Sequence, residues 1–535
     1  MGCPYQQYYV NQAGTGIGTI YRGSPYQRGH GIGSWLGGVF RSILPLFKSG
    51  MRAVGKEALR TGTNVLGDII EDKPIKEAFQ DRIHEAGRNL KRKADEKIDT
   101  LMQGSGYKTP HIPKLDQFKI ASQFVIPGSG NDYLDLSHTM LYITARIVKQ
   151  DDSILGVGDV VGPANNWLHT LYSQVEICLN QKLVSPPNNT YAYRAYIETL
   201  LNYGLEAKTS HLGCSLWHND TPKKMDTLTA DNVGFTIRQA AAAESNMIEM
   251  IGHVHADLFN QEKFLINGVE MKVKFVRSRD SFNLMAGAGA TYKVKIVDAN
   301  LLVRRMKINP TILLAHTKAL ETSAAKYPIT RTDVKVLTIP TGIQRKSLDN
   351  VFLGQLPKRC IIGFVSNKAF NGDYASNPFN FQNYKINYMS LYIDGQQIPS
   401  KPLQPDFTRA GLYVRAYHTL FSGTGIHFLN EGNNISRLDY PHGYCLTTFD
   451  LTPDLSANAT THWNLVRNGS LRIEVGFQDA LTETVNCLVY AEFDNVIEID
   501  KHRNVNAVKR EISKLRTLHS LTHINKFEKQ KNKLS

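Results

Sequence analysis

Three segments of this chain occur twice, in the same order. YRAYIETL at 193–200 returns as VRAYHTLF at 414–421. NGVEMKVKF at 267–275 returns as NGSLRIEVGF at 468–477, and KIVDANLLVRR at 295–305 as YAEFDNVIEID at 490–500. The offsets are 221, 201 and about 196 residues, a drift that loops of unequal length would produce. Ahead of the first pair, VEICLNQKLVSPPNNTYA and MSLYIDGQQIPSKPLQPDF share a strand, a polar turn and a Pro-rich loop. Repetition on this scale points to one supersecondary unit used twice.

The repeated unit is a β-unit. From about residue 112 helical periodicity fades, and short alternating runs appear between Gly, Pro, Asn and Asp. TMLYITARIV, EMKVKFV, TYKVKIVDANLLV, KRCIIGFV, INYMSLYID and SLRIEVGF are examples. Such runs at turn-separated intervals predict an all-β sandwich or barrel. The region is too long for one sandwich. The repeat predicts two, joined near 325–350.

The ends differ from this body. Residues 1–105 hold 15 Lys/Arg against 10 Asp/Glu, a net +5, and residues 501–535 hold 10 against 2, a net +8. Of the formal +14, only +1 is left for the middle. Basic ends of this kind meet nucleic acid or an anionic membrane surface. Residues 1–31, rich in Gly, Tyr and Gln, predict disorder. Beyond them Leu36, Phe40, Ile43, Phe47, Met51 and Val54 recur at three- and four-residue steps, while Arg41, Lys48, Arg52, Lys56 and Arg60 fall opposite. That pattern is a cationic amphipathic helix, interrupted by Pro45. A second helical pattern runs through Ile75, Phe79, Ile83, Leu90, Ala94 and Ile98. Three uses stay open for the arm: packing on a neighbouring subunit, entering a lipid interface, or lying on DNA. Residues 501–535 read as a basic helix or tail, either a solvated terminus or a nucleic-acid or nuclear-targeting segment.

Little in the sequence offers catalysis. There is no P-loop, no GxSxG elbow, no HExxH and no CxxC. His253 and His255 would point the same way from a strand, but no nearby Cys or carboxylate in sequence completes a metal site. Gly287-Ala288-Gly289-Ala290 lies between strands and reads as a loop. Six scattered cysteines predict a reduced chain without a disulfide framework. No apolar run is long enough to span a membrane, the N-terminus has no signal-peptide pattern, and Gln6 breaks the myristoylation pattern at Gly2. The expectation is a protein that is not an enzyme and uses no cofactor and no metal. Short uncharged LMQGSG at 101–106 separates the charged KRKADEKIDT from YKTPHIPKLDQF and reads as a flexible junction.

These segments carry a resemblance. RGSPYQRGHGIGSWLGGVFRSILPLFKSGMRAVGKEALRTG (22–62) resembles the mu-type core protein of adenoviruses and of related Polinton (Maverick) elements and adintoviruses, and in its amphipathic character adenovirus minor capsid protein VI. NNTYAYRAYIETLLNYG, RSRDSFNLMAG, AKYPI, DNVFLGQLPKR, FDLTPDL and VYAEFDNVIEIDK resemble the hexon-like major capsid protein of Polintons and adintoviruses. The resemblance implies a double jelly roll, two eight-stranded antiparallel sandwiches, with an α-helical amphipathic N-terminal arm before it and a basic helical tail after it. It implies a division into a leader (1–31), an arm (32–105), jelly rolls at 106–335 and 336–504, and a tail (505–535). It implies a homotrimer that tiles as pseudo-hexagonal capsomers into the icosahedral capsid of a double-stranded DNA virus or virus-like transposon. Partners would be a penton or minor capsid protein, an adenovirus-type maturation protease, the DNA genome and, through the arm, a membrane. The location would be the virion capsid, with assembly in the host nucleus or cytoplasm.

The same resemblance gives LMQGSG a second meaning. Adenovirus-type proteases cut after Met/Ile/Leu-x-Gly-x and before Gly, and Met102-Gln103-Gly104-Ser105 precedes Gly106. Cutting between Ser105 and Gly106 would release the arm during proteolytic maturation. The pattern also matches Ile126–Gly130 and Met285–Gly289, where folding is expected to protect the chain. In that family the mu-like segment and the capsid body are commonly separate proteins, whereas here they are fused. Two rival readings are a DNA-binding architectural protein and a jelly-roll carbohydrate-binding or hydrolytic protein. The second would need a carboxylate-lined groove, and no paired-carboxylate signature is legible. The 24 tyrosines are more simply read as subunit contacts.

Overall fold

The structure, a computed structural model, describes residues 121–508 apart from 129, 186–187, 409–410 and 459–465. The leader, the amphipathic arm with both its faces, the 102–106 junction and residues 509–535 lie outside the described residues.

Fifteen principal strands build four sheets. The first seven are β1 (Ala121–Ile126), β2 (Asp132–Lys149), β3 (Tyr172–Leu179), β4 (Lys182–Leu183), β5 (Ile248–His253), β6 (Met271–Arg277) and β7 (Tyr292–Lys307). They pair in the orders β1-β6-β3-β4 and β5-β2-β7. The next eight are β8 (Ala325–Ile339), β9 (Arg345–Gln355), β10 (Arg359–Ser366), β11 (Ile386–Ile393), β12 (Gln396–Leu403), β13 (Leu446–Asp450), β14 (Asn468–Phe477) and β15 (Val485–Ile499). They pair as β9-β14-β11-β12 and β8-β15-β10-β13. Adding eight to each label of the first set reproduces the second, and every principal ladder is antiparallel. This is a jelly roll written twice, and the fold is a double jelly roll. Strand β8 has no counterpart among the described residues of the first copy.

The repeated sequences occupy equivalent places. NGVEMKVKF and NGSLRIEVGF contain β6 and β14, and KIVDANLLVRR and YAEFDNVIEID lie on β7 and β15. YRAYIETL forms helix α1 (Tyr191–Asn202) between β4 and β5, and VRAYHTLF forms α4 (Val414–Ser422) between β12 and β13. Two helices of ten residues or more, α2 (Val233–Ala242) and α3 (Pro310–Leu320), fall between them in the chain, among shorter ones.

Each sandwich closes on its own apolar filling, and alternation supplies it. In the first, Leu141, Ile143, Val273, Phe275, Ala299 and Leu301 meet; in the second, Leu391, Leu471, Ile473, Val489 and Phe493. The two are not joined by a linker. Strands β8 and β15 pair without interruption from Ala325↔Ile499 to Ile339↔Val485. Their one end puts Tyr327, Ile329, Ile497 and Ile499 into the first core, and their other end puts Ile339, Val485 and Cys487 into the second. The 335/336 division therefore falls within β8. Residues Val505–Val508 pair antiparallel with Val496–Ile499, and Val505 is buried against the first core.

Candidate functional site

Helix α1 decides how the two jelly rolls meet. From Tyr191 to Leu201 every residue is buried, which a surface helix never achieves. One neighbour is the outer face of the β8-β15-β10-β13 sheet. Along β15, Val485, Cys487, Val489 and Ala491 face the second core while Leu488 and Tyr490 face α1. Along β10, Cys360, Ile362 and Phe364 face inward, and Ile361 and Val365 face the helix. Buried on both sides, these strands read as continuous apolar runs rather than alternating ones. Tyr196 stacks on Phe379 at 4.1 Å, and Trp217 lies 5.2 Å from Tyr196. Tyr193 stacks on Phe370 at 5.6 Å.

A buried polar network crosses this seam. Arg194 Nε donates to Glu198 Oε1 at 2.8 Å, one helical turn away, and Arg194 Nη1 reaches Asp257 Oδ1 at 2.7 Å. The other oxygen of Glu198 lies 2.7 Å from His255 Nδ1. The Tyr490 hydroxyl, on β15, donates to Glu198 at 3.1 Å. Behind it Glu492 lies 3.7 Å from Arg359 Nε, and both side chains are buried. Burial alone would raise the Glu198 carboxyl. The Arg194 charge and the His255 contact outweigh it and hold the pKa at about 2. Asp257 shares Arg194, but for it burial is the larger influence, and its pKa lies above the usual carboxylate range. The Lys208 ammonium, also buried, donates to the carbonyls of Leu200 at 2.7 Å and Asn433 at 2.6 Å. It too ties the first copy to the second.

The sequence showed only part of this. His253 and His255 do not form a pair of equivalent strand residues. His253 ends β5 and contacts Asn260 Oδ1 at 3.0 Å, whereas His255 lies past the strand and is held by Glu198. The ring of His169 stands 4.7 Å from that of His255. Arg194 and Glu198 were missed. Their only signal was an ion pair at i,i+4 within an otherwise apolar helix. Among the described residues no group of three or more His, Cys, Asp or Glu side chains could hold a metal ion. Burial pushes the thiols of Cys360, Cys445 and Cys487 up, Cys445 to about 12.

Helix α4 repeats α1 in sequence but not in setting. It buries only Ala416 and Leu420. Around it Leu412 (67% exposed), Phe428 (90%) and Leu438 (76%) stand in solvent, with Val414 and Leu429 also exposed. The loop after α4 stays near it: His427 lies 3.9 Å from Phe428 and 6.0 Å from His418 of α4, and Tyr413 donates to the Arg437 carbonyl. The first copy shows the complementary asymmetry. The outer face of β5-β2-β7 corresponds to the face that α1 covers in the second copy. Yet Met140, Tyr142, Ile251 and Leu302 on it are only half-buried. Helix α4 rests on the β13 edge of the sheet that α1 covers, with Thr448 N donating to Thr419 Oγ1 at 3.1 Å and Leu420 in the shared cluster, but its other face stays in solvent, and the equivalent sheet of the first copy has no such helix on it among the described residues.

A cleft of about 630 Å³ opens beside Lys223, Asp226, Tyr384, Lys385 and His442. Its carboxylates are engaged: Asp479 pairs with Lys385 at 2.8 Å, and Asp226 accepts from Asn377 N and Asn380 Nδ2, both at 2.7 Å. The internal matches to the protease pattern differ in access. Ile126 is buried, and so are Met285 and Ala286, whose strand pairs with Val161–Pro163. Gly287, Ala288 and Gly289 are exposed, but a protease groove could not take Met285 without opening that pairing. Ser105 and Gly106 lie outside the described residues, as do Met102 and Gly104.

No family model matches the chain. It is 27% identical over 426 residues to the uncharacterized protein F54H12.2 of Caenorhabditis elegans, covering 76% of this chain and 97% of that one. Among solved structures it overlays a chain of the Sputnik virophage with a TM-score of 0.52 at 11% identity, over 76% of this chain and 88% of that chain. The overlay on the mavirus major capsid protein is looser, with a TM-score of 0.45 at 12% identity over 76% and 90%, and adds nothing to the assignment. Strand order and the Sputnik overlay agree on the fold, and what this chain shares with that virophage chain is a double jelly roll.

Proposed function

We propose that this chain is a hexon-like major capsid protein, a subunit that closes into trimers and tiles a virion shell. The observation that carries the reading is the unequal use of one repeated helix. Helix α1 is buried all round on the outer sheet of the second jelly roll, while α4 touches only the β13 edge of that sheet and keeps one face in solvent, and the equivalent sheet of the first jelly roll is only half-buried. Placing α4 of one copy against the β5-β2-β7 face of the next repeats the internal contact between molecules. Such a heterologous contact generates a ring when its rotation closes. With two jelly rolls per chain, three copies make a ring of six similar units. Exposed Leu412, Phe428 and Leu438 are then the apolar centre of an interface rather than a defect of the surface.

The finer parts follow the sequence. The chain is made as a precursor, and an adenovirus-type protease cuts between Ser105 and Gly106. The freed arm contacts packaged double-stranded DNA or a membrane through Arg41, Lys48, Arg52, Lys56 and Arg60. A penton or minor capsid protein completes the shell.

The test is electron microscopy and sedimentation of the full chain beside a Phe428→Asp, Leu438→Asp variant. Hexagonal trimers, sheets or shells that vanish in the variant, with unfolding unchanged, support the reading. A wild-type chain that stays monomeric at high concentration and forms no higher order sinks it.

A further inference from the structure

Helix α3 lies beside the first jelly roll. It joins the end of β7 at Lys307 to the start of β8 at Ala325, where β15 also ends. Asn309 caps it, accepting from Thr311 N at 2.9 Å, and Pro310 opens it. The local sequence therefore specifies the helix. Packing hardly does: none of its eleven residues is buried. It touches the body along one narrow line, where Leu313 and Leu320 rest on the first core and His316 stacks on Tyr133 with a contact of 2.9 Å. The rest faces solvent, and much of it is apolar. Leu314 is 71% exposed and Ile312 49%, with Ala315 and Ala319 exposed beside them.

Cations frame this apolar surface. Arg304, Arg305, Lys307, Lys318 and Lys326 flank or lie on the helix, against one acid within the same span, Glu321. Arg304 reaches Asp135 at 3.5 Å and Lys326 reaches Glu498 at 3.2 Å. Arg305, Lys307 and Lys318 have no carboxylate partner among the described residues. The strand Val505–Val508 runs along β15 from this same end, and the segment 501–535 that contains it is the chain's most basic.

We propose that α3 and its cationic frame form a peripheral docking site for an anionic lipid surface. The apolar side enters the headgroup boundary and the flanking cations bind the headgroups, an arrangement that needs both features at once. A nucleic-acid backbone would use the cations but leave Ile312 and Leu314 in water. On the capsid reading, a second copy of the chain has the exposed Leu412, Phe428 and Leu438 around α4 for its apolar contact. No described helix is long and apolar enough to cross a membrane, so the contact is superficial. The inference goes beyond the capsid reading and does not require it.

Hydrogen exchange of the full chain, read by mass spectrometry on the peptide 310–320, tests this directly. Four conditions are compared: no lipid, duplex DNA, phosphatidylcholine vesicles, and vesicles of equal parts phosphatidylcholine and phosphatidylglycerol. The expected result is several-fold slower exchange with the anionic vesicles alone, abolished by Leu314→Asp, a change at an exposed site that leaves the fold intact. Four outcomes overturn the proposal. The chain could ignore anionic vesicles, or bind them with this peptide unprotected, which places the contact elsewhere. Equal protection by duplex DNA would make the site a nucleic-acid contact, and protection without lipid would make it a subunit contact. The size of the lipid-free chain, measured alongside, reports on the capsid reading separately.

Discussion

Replacing Glu198 by Gln should damage this molecule more than any exposed substitution, and in a way that depends on pH. The carboxylate receives Arg194, His255 and the hydroxyl of Tyr490 inside the seam, and its side chain is 2% exposed. Its pKa falls from 4.5 in the unfolded chain to about 2 in the fold. A group with a depressed folded pKa contributes stability above its unfolded pKa and loses it as pH falls toward the folded one. The drop of some two and a half units corresponds to about 3 kcal/mol at neutral pH. That agrees with the ~3–5 kcal/mol typical of breaking a buried pair from one side. Gln keeps the shape but removes the charge, leaving Arg194 with Asp257 alone. The assay is urea unfolding of the full chain, followed by the emission of buried Trp167 and Trp217. At pH 7 the variant should be weaker by about 3 kcal/mol, and the gap should narrow once pH passes below 4.5. Because β8 and β15 belong to both cores, wild type should unfold in one transition. A variant as stable as wild type at pH 7, or a gap that stays constant down to pH 3, would refute the assignment of Glu198 as the charged centre of the seam.

Other perturbations probe neighbouring parts. Gly363 lies on the seam face of β10, where a Cβ would stand 2.5 Å from Leu446 Cδ2 and 2.6 Å from Phe381 Cδ1; Gly363→Ala should therefore cost ~1–3 kcal/mol in the same urea assay. His253 has its pKa lowered to about 4, first by burial and then by the neighbouring His255, so the fold holds it neutral. Its contribution is complete above pH 6.5 and is lost as pH falls toward 4, a window above that of Glu198; His253→Gln should flatten the stability profile there. Burial draws the Lys208 ammonium down to about 7 while two carbonyls hold its protons, so Lys208→Met should raise stability at pH 6 relative to wild type more than at pH 9, as read by thermal melting.

What was legible in the sequence was the repeat and the texture. Alternation in EMKVKFV and SLRIEVGF marks strands with one wet face, and the ordered pairs of segments land on equivalent elements, β6 with β14, β7 with β15 and α1 with α4. What was not legible was the difference between copies. YRAYIETL and VRAYHTLF look alike, yet one is sealed on every side in a seam and the other buries one face and leaves the other in water. The difference arises from what each helix meets in space, and no local pattern encodes it. The seam network was hidden for the same reason, since Glu198, His255 and Tyr490 are far apart in sequence. The shared strands were hidden as well. A join expected near 325–350 reads as a boundary, and the structure spends that stretch on a ladder serving both cores.

On the proposed capsid reading, this asymmetry bears on how an assembling subunit avoids assembling with itself. A lone jelly roll carrying both a half-exposed helix and a half-exposed sheet could satisfy one with the other in a closed pair. Here the internal copy of that contact is already made, and it is fixed by groups that tolerate little displacement. Arg194, Glu198 and Asp257 are buried charges, and a shift of α1 by even a fraction of a turn would leave one of them unpaired. The external copy has no such pair: Arg415 stands where α1 has Arg194 but is exposed, Thr419 replaces Glu198, and Phe428 and Leu438 lie exposed in its surroundings. An ionic seam gives one geometry and stays closed. An apolar patch forms and parts more readily and strengthens with the number of copies around it. A permanent contact within the chain and a renewable one between chains are what building a shell from repeated tiles requires.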